Sequence, residues 1–164
     1  MLGSFRIFIV LLFLCTFVKA DIFEQNSISL GAKYSSASYL DNDYDVAGLN
    51  INYFVLDGLG IGVEYENWIE RDEAPRIEKI GVSTTYFVPV SEPIRPYIGA
   101  VYRRLFTDSV YDTSTYGYRA GISFSSDRAS MSLGWSEERL SSCQDTQECT
   151  NGFAEVLISI SFSI

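Results

Sequence analysis

The last twelve residues of the chain, Phe153 to Ile164, alternate without a break. Ala154, Val156, Ile158, Ile160, Phe162 and Ile164 share one face, and Glu155, Leu157, Ser159, Ser161 and Ser163 share the other. Period-2 alternation of this length predicts a β-strand with unlike environments on its two sides. Seven earlier segments carry the same pattern: 27–36, 46–55, 59–66, 79–88, 97–106, 115–124 and 129–136. In 46–55, for example, Ala47, Leu49, Ile51, Tyr53 and Val55 oppose Gly48, Asn50 and Asn52. In 97–106 the pattern is ambiguous, because Ile98, Ala100 and Tyr102 compete with Tyr97, Val101 and Leu105, and Arg103 and Arg104 are adjacent. The first set is read as the apolar face.

The connections alternate in length. Asp57-Gly58 predicts a tight hairpin, Pro89 and Pro93 punctuate the next turn, and Ser125-Ser126-Asp127 makes a third short one. The connections after the first, third, fifth and seventh segments are longer and polar. Eight strands of bilayer-crossing length joined in this way predict an all-β fold, an eight-stranded antiparallel up-and-down transmembrane β-barrel. Alternation alone also fits a soluble, lipocalin-like ligand-binding barrel that buries its apolar face. Two features favour lipid on the outside. The polar face is mostly Ser, Gly, Thr and Asn, which fit a narrow lumen, whereas water-facing strands carry Lys and Glu. The apolar face also concentrates aromatics at strand ends. Tyr53, Tyr86, Phe124 and Phe162 form an expected girdle at the turn side, and Tyr34, Tyr65, Tyr102, Tyr116 and Trp135 one at the loop side.

The first 20 residues read as a processing segment rather than as fold. Arg6 precedes the apolar run Ile7–Leu14, and Val18-Lys19-Ala20 offers a cleavage site before Asp21. Residues 1–20 are thus an expected signal peptide and 21–164 the barrel domain. Removing 1–20 takes two basic residues and no acid, leaving 10 basic and 21 acidic residues and a net charge of −11. Such a balance argues against a nucleic-acid partner, which needs a basic patch. Cys143 and Cys149, separated by five polar residues in an exported chain, read as a disulfide. Two thiolates without histidine make a metal site the weaker alternative.

The export signal, the eight segments, the opening Arg95-Pro96-Tyr97-Ile98-Gly99-Ala100 of the fifth strand and the alternating C-terminus together resemble small outer-membrane barrels of the opacity type and the OmpA- and OmpX-like kind. The resemblance covers essentially all of 21–164. It implies a Gram-negative outer-membrane location, lipid and lipopolysaccharide as surroundings, a monomeric state, and a C-terminal strand read by the barrel-assembly machinery. One departure is that such chains usually end in an aromatic residue, whereas this one ends in Ile164 with Phe162 third from last.

Chemistry is confined to a few groups. Lys33, Glu64, Glu66, Lys79, Arg104, Arg119 and Glu155 are the expected lumenal ion-pair network, since charges in a narrow lumen must be paired. Such a network reads first as scaffold, and alternatively as the gate of a narrow porin-like channel. Small outer-membrane barrel enzymes look histidine-dependent, and this chain has no histidine, so no enzyme and no cofactor are expected. The loops are read as acidic, with Asp41, Asp43, Asp45, Glu70, Asp72, Glu73, Glu78, Asp108, Asp112, Glu137, Glu138, Asp145 and Glu148. They read first as a solvated face that keeps the loops soluble, and alternatively as ligands for divalent cations that bridge them to lipopolysaccharide phosphates, although Asp41–Asp45 lacks the glycine and glutamate of an EF-hand. A structural or surface-interaction role through these loops is the leading expectation.

Overall fold

The computed structural model describes residues 22–39, 42–70, 76–90, 93–107, 113–126, 128–141 and 149–163. The expected signal segment 1–20 and the terminal Ile164 lie outside them. The described residues form β1 (Ser27–Tyr39), β2 (Asn42–Leu56), β3 (Leu59–Glu70), β4 (Ile77–Phe87), β5 (Ile94–Thr107), β6 (Thr113–Ser126), β7 (Ala129–Leu140) and β8 (Thr150–Ser163). Each strand pairs antiparallel with the next, and β8 returns to β1 to close the barrel. Closure removes the sheet edges that lipid could not hydrogen-bond.

The strands run further toward the loop side than their alternation suggests. β2 starts at Asn42, β3 ends at Glu70 and β7 ends at Leu140. Asp43, Asp45, Glu70, Glu78, Glu137 and Glu138 therefore belong to strands rather than to loops. Above the hydrocarbon the outward side chains meet water, so Asp43 and Asp45 lie outside while Tyr44 and Val46 are buried inside, and the apolar-outward pattern that marks a strand is lost while its pairing continues. Asp41, Asp72, Glu73, Asp108, Asp112, Asp145 and Glu148 lie outside the described residues.

The pleat sorts side chains as a membrane barrel requires. Leu49 is 64% and Ile98 58% exposed, while Glu66 and Arg103 are 1% exposed. In β5 the outward face is Ile98, Ala100 and Tyr102, with Tyr97, Val101 and Leu105 inward. All nine girdle aromatics point outward. The soluble barrel with an apolar interior does not fit this distribution, because a continuous apolar face is outside and the middle of the lumen holds Ser, Thr, Asn and charged groups.

Two local constraints shape the turn side. Gly58 has φ 77°, a conformation that favours glycine; its N–H donates to the Phe23 carbonyl and its own carbonyl accepts from Phe87 N–H, both at 2.8 Å. Asn26, at φ 65°, turns the chain from the barrel mouth into β1, and its side-chain oxygen accepts from the Tyr53 hydroxyl at 2.9 Å. Higher up, the Tyr97 ring fills the space that side chains at two facing positions would take. A Cβ on Gly134 would collide with the Tyr97 hydroxyl and come within 2.8 Å of the Ala120 carbonyl.

Val63, outward between the Tyr53 and Tyr65 levels, tests the lipid face. Val63→Arg is expected to cost about 2–4 kcal/mol in urea titrations of liposome-folded protein. Gly134→Ala is expected to cost about 1–3 kcal/mol by overpacking, with partial recovery when Tyr97→Leu is added in the same titration.

Candidate functional site: a lumen closed at three levels

Seven of the eight strands contribute an inward charged side chain to the middle of the lumen. β1 supplies Lys33, β3 Glu64 and Glu66, β4 Lys79, β5 Arg103, β6 Arg119, β7 Glu138 and β8 Glu155, and all are buried. Lys33 Nζ lies 2.7 Å from both Glu66 Oε1 and Glu155 Oε2. Arg103 is the joint of the network. Its Nη2 meets Glu64 and also Glu66, the latter at 3.1 Å, and its Nη1 meets Glu138. Glu138 also pairs with Lys79 at 3.0 Å and accepts from the Thr115 hydroxyl at 3.0 Å. Arg119 closes the other side, with Nη1 2.7 Å from Glu64 and Nη2 donating to Thr85 Oγ1 at 2.6 Å. Four cations face four carboxylates, so this layer is neutral.

Burial of each ion costs several kcal/mol, and only mutual pairing offsets it. Room for the long side chains comes from small neighbours. A Cβ on Gly81 would lie 2.5 Å from Arg103 Cγ, so only glycine lets that guanidinium stem lie against β4.

Apolar layers seal the charged one above and below. On the loop side Trp68 packs edge-on to Phe153, with centroids 5.7 Å apart at 86°, and Tyr44 lies against it at 5.7 Å. Ala37, Val46, Ile77 and Leu105 complete this layer. Trp68 is tied to the network below it, since its indole N–H donates to Glu66 Oε2 at 3.1 Å and Lys79 Nζ sits 3.9 Å from its ring centre. On the turn side the N-terminal Ile22 and Phe23 fold into the mouth among Phe54, Phe87 and Tyr97. Phe23 stacks on Phe87 at 4.2 Å and meets Phe54 edge-on at 5.7 Å, while the Arg95 guanidinium lies 4.9 Å from its ring. Two cavities beside the network, one bounded by Lys33, Asn50, Glu64 and Arg119 and the other by Lys79, Thr115 and Glu138, each measure about 10 Å³. That is space for about one water.

The structure brings Lys33, Glu64, Glu66, Lys79, Arg119 and Glu155 together, but Arg104 is not with them. Arg103 takes that place, and Arg104 lies on the outer wall with its guanidinium 5.5 Å from the Phe106 ring. The reason is the pleat: with Ile98, Ala100 and Tyr102 outward, residue 104 must be outward too. Glu138, expected in a loop, is inward by the same parity, two residues from buried Ser136. The aromatics of the two apolar layers, Trp68, Phe153, Phe54 and Phe87 among them, are members of the site that the sequence pattern did not single out. Ser159 and Ser161 are buried packing residues, and the Ser161 hydroxyl donates to the Ile28 carbonyl at 3.2 Å. Cys149 is buried, and Cys143 lies outside the described residues.

No protein-family model and no curated protein sequence matches the chain, whereas its fold has clear counterparts among solved structures. Neisserial surface protein A superposes with a TM-score of 0.67 at 16% identity, over 83% of this chain and 96% of that one. The N-terminal β-barrel domain of Pseudomonas aeruginosa OprF gives 0.64 at 14% identity, over 84% and 98%. Ail, the attachment invasion locus protein of Yersinia pestis, gives 0.51 at 13% identity, over 85% and 99%. The chain therefore has the closed eight-stranded fold of small outer-membrane barrels.

The network makes adjacent arginines unequal. Arg103→Leu leaves three carboxylates short of their shared cation and is expected to cost about 3–5 kcal/mol in the same urea titration. Arg104→Leu, on the outer wall, is expected to cost about 1 kcal/mol or less.

Proposed function

We propose that this protein is an outer-membrane barrel closed to solutes, with a structural or surface-interaction role exercised from its loop side. The observation that carries this reading is the three-layer lumen. An apolar aromatic layer lies at each end, with a neutral four-against-four ion network between them. The outward apolar band between two aromatic belts supports a bilayer as its surroundings, and the fold shared with solved outer-membrane barrels supports the outer membrane in particular. In this reading both termini and the short turns face the periplasm. The longer connections face outward, toward lipopolysaccharide and whatever else the surface meets, and their carboxylates suit divalent cations. A Cys143–Cys149 disulfide would brace the last of these connections. The C-terminal strand would carry the assembly signal, and the barrel would act as a monomer and without catalysis.

A channel gated by ion-pair exchange would need three layers to part together. Planar-bilayer recording separates the two readings. The closed barrel is expected to leave the bilayer silent while its heat-dependent gel mobility reports insertion. Discrete, reproducible openings altered by Glu64→Gln or Arg119→Gln would replace it with a pore.

A further inference from the structure

Seven strands bring a charge to the middle of the lumen, and β2 brings none. Its inward side chain beside the network is Asn50, which is 5% exposed. The register sets Asn50 opposite Gly31 on β1 and opposite Glu64 on β3. Glycine gives the amide its place, since a Cβ on Gly31 would collide with Asn50 Oδ1 and lie 2.9 Å from Ser159 Oγ. The Glu64 carboxylate is engaged elsewhere, by Arg103 and Arg119. Asn50 is left with no donor for Oδ1 and no acceptor for Nδ2 among the described residues. Exchanging the two ends of the amide changes nothing, because both lack a partner.

A buried amide with both ends unanswered loses its bonds to water and recovers none, and native interiors rarely leave such a group alone. Asn50 borders the cavity of about 10 Å³ that Lys33, Glu64, Glu66 and Arg119 also line. Two groups on that wall have bonding capacity to spare. Glu64 Oε1 lies 2.7 Å from Arg119 Nη1 but accepts no aligned hydrogen bond. Lys33 Nζ pairs with Glu66 and Glu155 and has a third N–H to give. The charges select what fits between them. A sodium ion would suit Asn50 Oδ1 but would sit beside Lys33 and Arg119. A chloride would suit Nδ2 but would face Glu64 and Glu66 and leave Oδ1 bare. Only a molecule that both donates and accepts answers both ends of the amide, and the volume admits about one water.

We propose that this cavity is a specific site for one long-lived water molecule, held by Asn50, Glu64 and Lys33, which ties β2 into the ion network. The water accepts from Asn50 Nδ2 and Lys33 Nζ and donates to Asn50 Oδ1 and Glu64 Oε1, a full set of four bonds. The ions still solvate mainly one another, and the water serves the amide. Apolar layers above and below separate it from bulk solvent, so it exchanges slowly. The site completes the ring: every strand then reaches the charged layer, seven by an ion and β2 through a shared water. It concerns hydration within the lumen and goes beyond the surface role of the barrel.

The test is magnetisation transfer between water and protein, read by paired nuclear and rotating-frame Overhauser spectra of the refolded protein in detergent micelles. Cross-peaks to water are expected at the side-chain and backbone N–H protons of Asn50, with opposite signs in the two spectra, the mark of a water that stays bound. In Asn50→Leu, which keeps the volume and removes both polar ends, the backbone cross-peak at position 50 is expected to be lost. No cross-peak in the unsubstituted protein overturns the proposal, and so does one that persists unchanged in Asn50→Leu. A salt series on the unsubstituted protein decides between occupants even where Asn50→Leu does not fold. Asn50 resonances unmoved by sodium chloride and by choline chloride support water. A saturable shift with sodium chloride alone would assign the site to sodium, and one with both salts to chloride, and either overturns the proposal. Cross-peaks of the same sign at many lumenal groups would mark mobile water in an open lumen, sinking both this site and the closed barrel. Opposite-sign peaks at Asn50 in a barrel that conducts would sink the closed reading alone and leave the site standing.

Discussion

The guanidinium of Arg103 is the interaction on which the interior depends. It reaches three carboxylates from two strands, Glu64 and Glu66 on β3 and Glu138 on β7, and through them joins Arg119, Lys33 and Lys79 into one connected set. An eight-stranded barrel has no interior volume for bulk water. Its buried ions are therefore solvated by one another or not at all. A planar fork with donors in several directions meets that demand where an ammonium would satisfy fewer partners. The balance of four cations and four carboxylates follows from the same constraint, and the acidity of the chain as a whole is carried elsewhere.

The long side chains fit because small ones stand among them. Glu64, Glu66, Lys79, Arg103 and Arg119 project from β3 to β6 and Lys33, Glu138 and Glu155 from β1, β7 and β8, with small hydroxyls such as Ser83, Thr85, Ser132, Ser136 and Ser159 between them. Long residues set beside short ones are how a narrow cylinder is filled without voids. The outer wall follows a different rule. It has no partner within the protein, and its Leu, Ile, Val and aromatic side chains make sense only against lipid. Two solvents, one for each face of the same strands, account for the alternation from which the whole fold can be read.

That alternation made most of the architecture legible. Strand number, order, the faces and the two aromatic belts follow from residues such as Ala154 to Phe162, whose parity never slips. The network was legible as a set of inward charges, but its central member was not. Adjacent Arg103 and Arg104 offer the same chemistry, and only the parity fixed by Ile98, Ala100 and Tyr102 separates them. Glu138 was hidden because above the hydrocarbon an acidic residue next to another, Glu137, reads as loop although its strand continues to Leu140. The aromatic layers were less legible still. Trp68 and Phe153 close one end only because strands far apart in sequence bring them together, and no local pattern encodes that meeting. Ile22 and Phe23 precede the first alternating segment and carry no period at all.

The stopper formed by Ile22 and Phe23 has a bearing on the order of assembly. Phe23 rests on Phe87, sixty-four positions along the chain, and its carbonyl is held by Gly58. The first described residues of the chain therefore cannot dock until the second hairpin turn exists and β4 stands beside it. Ile22 and Phe23, although they precede β1, thus depend on contacts that the chain supplies only at β4 and β5, and they lay an apolar floor beneath the charged layer.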